Sequence, residues 1–109
     1  MIVAIPCMSE SQTGRISERL ARSPFFAIAD TSRQEVRFIN NHFSTLGSGA
    51  GREMIAFMKA SGIETIMTHE IGLKVQQLAV ENKIGLLLLP DTITRVDQVL
   101  NHLKISSNE

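Results

Sequence analysis

Stretches of unbroken apolar residues alternate along this 109-residue chain with stretches in which they recur every three or four positions. The opening run MIVAIP is continuously apolar and rich in β-branched residues, which predicts a strand buried on both faces. The polar stretch CMSESQTGRISERLARSP follows and reads as a loop carrying a short helical piece around residues 15–21. FFAIAD and EVRFIN then flank TSRQ, the pattern of a β-hairpin closed by a four-residue loop. Phe25, Ala27 and Ala29 share one face of its first strand, and Val36 and Phe38 share one face of its second.

Beyond the hairpin, Ala50, Met54, Phe57, Met58 and Ser61 follow helical spacing, and Gly62 closes that helix. IETIMT reads as a short strand. IGLKVQQLAVEN places Ile71, Val75, Leu78 and Ala79 on one helical stripe, and IGLLLL reads as another buried strand. After Pro90, Thr92 is a candidate N-cap for a last helix whose stripe is Val96, Val99, Leu100 and Leu103. The tail SSNE, residues 106–109, reads as frayed, leaving 1–105 as one domain.

The order β-β-β-α-β-α-β-α, with a hairpin first and αβ crossovers after it, predicts an α/β fold with a mixed five-stranded sheet. The expected strand order is 3-2-1-4-5, with strand 2 antiparallel to the rest and helices on both faces. In that order Cys7 follows strand 1, His42 follows strand 3 and His69 follows strand 4. All three then emerge at one edge, together with the glycine loop GSGAG and the segment 8–24. Ligands of open α/β sheets favour this carboxyl-end crevice.

Composition narrows the function. Eleven basic and eleven acidic residues give zero formal net charge, without the basic excess that a general nucleic-acid binder needs. The absence of Trp and Tyr leaves five Phe as the whole aromatic inventory, a poor stacking platform. A single cysteine excludes an internal disulfide. No apolar run is long enough to span a membrane, and the N-terminus has no basic leader, so the expected compartment is the cytoplasm and no membrane partner is expected.

Each candidate group has a plain structural alternative. Cys7 is either a small core residue or a soft ligand at a strand end. His69, where a strand hands over to a helix, is either a hydrogen-bonded turn residue or a ligand, and His42 is the weaker of the two. Arg15, Arg19 and Arg22 recur at i, i+4 and i+7, either a solvated helical stripe or a cationic rim for an anion. His102 fits a solvated residue in the last turn of a helix. Gly47, Gly49 and Gly51 match neither the dinucleotide fingerprint nor a P-loop. A Ser48 N-cap with glycines for tight backbone approach accounts for them equally well. No Ser-His-Asp arrangement is present, and the strand ends lack the paired carboxylates of a two-metal nuclease, since Asp30 lies at the opposite edge.

The segments IVAIPC, SERLARSPFFAIAD, GAGREMIAFMKASGIETIMT, IGLKVQQLAVENKIGLLL and DTITRVDQVL, in this order, resemble the dinitrogenase iron–molybdenum cofactor biosynthesis family over nearly the whole chain. The resemblance implies a ribonuclease H-like fold and a non-catalytic binding or carrier role for an anionic metal–sulfur cofactor or its precursor. That cargo would be an iron–molybdenum–sulfur or molybdenum–copper–sulfide cluster, with cofactor-assembly proteins as possible partners. The implied contacts are Cys7, Arg19, Arg22, His42, Gly49, Gly51 and His69, with Cys7, His42 and His69 as metal ligands. The chain departs from the family at Arg19, where the family carries a histidine, and at His69, where it often carries glycine. A cofactor-free interaction or regulatory domain is the alternative.

Overall fold

The hydrophobic pattern yields the sheet it predicts. In the computed structural model, which describes residues 1–105, five strands lie in the order β3-β2-β1-β4-β5. They are β1 (Ile2–Cys7), β2 (Phe25–Asp30), β3 (Glu35–Asn40), β4 (Thr65–Thr68) and β5 (Gly85–Leu88). β2 is antiparallel to both of its neighbours, whereas β1, β4 and β5 are mutually parallel. The helices are α1 (Ala50–Ala60), α2 (Leu73–Glu81) and α3 (Val96–His102). The tail expected to fray lies outside the described residues. No helix among the described residues is long and apolar enough to cross a membrane.

β1 is central and covered on both faces. Its odd-numbered residues Val3, Ile5 and Cys7 join Ala27 and Ala29 beneath Val96, Val99 and Leu100 of α3. Ala4 faces the other way, with Phe26, Ile28 and Ile66, toward Met54, Ile55 and Met58 of α1 and Ala79 of α2. Full burial of an Ile or Met side chain is worth about 1.5–3 kcal/mol, so a strand buried twice over is the fold's main anchor. The faces expected for the hairpin hold: Phe25, Val36 and Phe38 all pack on the α3 side.

α1 ends as expected at Gly62, whose φ of 79° lets Ile63 N–H reach Met58 C=O at 3.0 Å. Lys83 and Lys104 take the same left-handed position after α2 and α3.

Four local expectations are corrected. Residues 15–21 form no helix, because Ile16 anchors in the α3-side core and Leu20 in the opposite layer. A segment whose apolar anchors lie on opposite sides of the sheet must cross its end in extended form. Ile16 N–H instead donates to Thr94 C=O at 2.8 Å, and Ser17 N–H to Pro6 C=O at 2.9 Å. β5 is an exposed edge strand rather than a buried one, since no other described strand pairs with it beyond β4. α3 starts after Arg95, not Thr92. Gln98 Oε1 accepts from Arg95 N–H at 2.9 Å, while Val96 and Asp97 N–H donate to the Gly14 and Gln12 carbonyls. The residue preceding α1 is Gly49 at φ 80°, and Ser48 supplies no cap.

Candidate functional site

The chain leaves the sheet at the carboxyl ends of β1, β3 and β4, and three loops meet there. The 8–24 segment is held down by its backbone bonds to Pro6 and Thr94 and by a short turn in which Ser17 Oγ bonds both Arg19 N–H and Arg19 C=O at 3.2 Å. With Ile16, Ser17 and Leu20 buried, the long side chains of Arg15, Glu18, Arg19 and Arg22 turn to solvent.

The three arginines therefore share a site without sharing a helix. They line one hollow of about 490 Å³ together with Met8, Glu18 and Pro24. Arg19 continues into a second groove of about 770 Å³, between the 18–21 turn, the start of α2 and the leucines of β5. His69, Glu70, Gly72, Leu86 and Leu88 line this groove. A third hollow of about 390 Å³ joins Arg15, Glu18, His69, Glu70 and Asp91. Arg15, Arg19 and His69 line these cavities and carry no side-chain hydrogen bond or ion pair among the described residues, so their hydrogen-bonding capacity is free.

The first turn of α2 adds to this. Gly72 precedes it in extended conformation with no side-chain cap and no acidic residue in the turn. The N–H groups of a helix's first turn lie at the positive end of its dipole. Glu18 and Glu70 oppose that potential from the same walls. The surface is mixed, with its cationic part concentrated at Arg15, Arg19 and Arg22.

The remaining expected residues fall elsewhere. Cys7 does not emerge at the edge: it is the last residue of β1, pairs with Phe25 and has 0% exposure. Burial pushes its thiol up to about 11, with backbone hydrogen bonds involving Ala27 and Ser9 offsetting part of the rise. His42 is exposed on the β3–α1 loop and lines neither the arginine hollow nor the His69 groove. Gly49 is required by its positive φ. Gly51 sits inside α1, where a Cβ would lie 2.6 Å from Val75 Cγ2, so its smallness serves the approach of α1 to α2.

Arg22 has a second task. Its guanidinium donates to Ser44 C=O at 3.0 Å, to Leu46 C=O and to Gly47 C=O at 3.4 Å, fastening the glycine loop. Buried Asn41 ties the same two segments, donating from Nδ2 to Ala21 C=O at 2.9 Å and Ser23 C=O at 2.8 Å.

Sequence reasoning missed Met8, Glu18, Glu70 and the start of α2 as lining. Met8 is exposed one residue past β1, and its thioether is a soft donor beside the arginines. Its place just beyond a two-sided buried strand was a usable signal. Among the described residues no group of three or more His, Cys, Asp or Glu could hold a metal ion.

The five-stranded mixed sheet, with cavities at this end, defines a small α/β domain. The family model described as "Dinitrogenase iron-molybdenum cofactor" matches residues 1–105, and the chain belongs to that family. Among solved structures it is similar to the apo form of the orange protein from Desulfovibrio gigas. That pair has a TM-score of 0.83 and 21% identity, covering 94% of this chain and 86% of the other. It is also similar to the Thermotoga protein TM1290 of the DUF35 family, with TM-score 0.78, 19% identity and the same coverage of 94% and 86%. PH0822 matches with TM-score 0.76 and 19% identity over 99% and 98% of the two chains. At these identities the likeness is one of fold. No curated protein sequence matches the chain.

Proposed function

We propose that this protein is a non-catalytic carrier that binds an anionic metal–sulfur cofactor or precursor of the iron–molybdenum type as cargo. The observation that carries this reading is the convergence of Arg15, Arg19 and Arg22 on one hollow that continues through Arg19 to His69 and the uncapped start of α2. Membership of the iron–molybdenum cofactor family supports the same cargo class.

The donor set suits a preassembled cluster better than a bare ion. A bare ion needs several converging protein ligands, and the described residues offer no such group. A sulfide cluster brings most of its own ligands and its own negative charge, so it needs cations around it and one or two protein donors. Arginine guanidinium supplies the charge as directed N–H groups. His69 and the Met8 thioether are the available donors, while Cys7, held as a buried thiol, contributes to the core.

Tetrathiomolybdate added with copper or iron under anaerobic conditions tests the proposal. The expected result is charge-transfer absorption that is weakened about tenfold in affinity by Arg19→Ala or His69→Ala and by moderate salt. Both residues lie outside the buried core, so both variants fold. Protein that stays colourless and gives no binding heat overturns the reading. Glu18 and Glu70 in the same groove favour a second reading, a cofactor-free interaction domain. That reading requires no absorption with any thiometallate and retention of a protein partner by both variants.

A further inference from the structure

The two edges of the sheet are built differently. β3 carries charged Glu35 and Arg37, which discourage pairing with another strand. β5 reads Gly-Leu-Leu-Leu, with no Lys, no Pro and no charged residue across its length. Leu87 is 48% exposed and Leu88 is 61% exposed. Such a bare apolar edge invites a further strand.

The backbone fixes which groups are free. Gly85 N–H donates to Glu64 C=O and Leu89 N–H to Thr68 C=O, both at 2.8 Å, so alternate residues from Gly85 face β4. Leu86 and Leu88 therefore point their N–H and C=O groups outward. We infer that the occupant of this edge is a second copy of the same chain, joined by antiparallel pairing of β5 with β5 into one ten-stranded sheet.

Three features make the edge complementary to itself. The only register centred on Leu87 sets Leu87 against Leu87 and Leu86 against Leu88 twice, forming both outward hydrogen-bonded pairs. That register brings Lys83, in the turn before β5, to the same end of the seam as Asp91, in the turn after it, once on each side of the two-fold axis. Finally, α2 runs back along β5, so the two α2 helices lie antiparallel beside the seam. Leu73 is 78% exposed and Val80 is 67% exposed. Seven residues apart, they form one exposed apolar stripe on the helix that accompanies β5. An unrelated partner would have no reason to match the Lys83 and Asp91 spacing. This inference stands on the β5 edge and does not depend on the cargo reading.

Sedimentation velocity of the full chain from micromolar to millimolar concentration tests it, with circular dichroism confirming that each variant is folded. The expected result is a reversible dimer that Leu87→Lys abolishes. Lys83→Asp alone and Asp91→Lys alone set like charges together twice, and each weakens the dimer by about tenfold. An equimolar mixture of these two variants restores it as a heterodimer, because each meeting is again Asp with Lys or Lys with Asp. Leu86→Pro removes an outward N–H without touching the ladder to β4, and also favours the monomer. A wild-type monomer at millimolar concentration overturns the inference. So does a dimer indifferent to Leu87→Lys, or a variant mixture no tighter than its components.

Discussion

Cys7 shows how one residue can satisfy the fold at the expense of chemistry. Its place at the end of β1 left two readings open in the sequence, core filler and soft ligand, because both need a small residue at a strand end. The structure closes it beneath α3 and pushes the thiol up from 9.0 to about 11 by desolvation. The unfolded chain then releases this proton at lower pH than the folded one. Below pH 9 both states keep the proton and stability is unaffected. As pH rises from 9 toward 11 the folded state holds more protons, so stability falls. Urea denaturation across that range is expected to show a decline that Cys7→Ala removes, and native protein at neutral pH should resist thiol reagents. A rapidly modified thiol with a flat profile would place Cys7 at the surface instead.

Between elements, small residues decide how closely helices approach. Gly51 looked like part of a ligand-gripping loop because three glycines alternate before α1, yet the structure gives Gly49 and Gly51 separate tasks. Gly49 supplies a left-handed turn, and Gly51 leaves room for Val75. Valine in a helix is nearly confined to one rotamer and cannot swing aside. Gly51→Ala gains up to about 1 kcal/mol of helix propensity but incurs about 1–3 kcal/mol of overlap. A net loss of about 1 kcal/mol is expected in the wild-type background, and a gain of about 0.5–1 kcal/mol where Val75→Ala has made room. A double-mutant cycle in urea reads the coupling, and additive effects would show that the helices do not meet at this point. The arginine spacing misled in a similar way. Positions i, i+4 and i+7 align on a helix, but they also align along a segment pinned by Ile16 and Leu20 to opposite core layers. Periodicity reports neighbours on one element, whereas those anchors answer to two layers of the molecule.

For the molecule as a whole, the strand order was legible because hairpin and crossover rules leave few arrangements of these elements. That order placed the candidate site at the carboxyl ends of β1, β3 and β4, and the cavities found there are lined from the 8–24 segment, the β4–α2 turn and β5 rather than from the loop after β3. It could not reveal which side chains share a cavity, since that depends on the crossing of residues 8–24 over the sheet end. It also could not distinguish a buried run of leucines from an edge strand, because an apolar edge awaiting a partner reads like a strand that already has two neighbours. Amide hydrogen exchange separates those cases residue by residue. In dilute solution the amides of β1 are expected to be the slowest, being paired on both sides and covered on both faces. Along β5 and at Leu89 just after it, Gly85 and Leu89 should be slow through their bonds to β4 and the residue before it, and Leu86 and Leu88 fast through their outward N–H groups. Raising the concentration should slow Leu86 and Leu88 while leaving Gly85 and Leu89 unchanged. Uniform slow exchange along β5 in dilute solution would mean that a single chain already covers this edge.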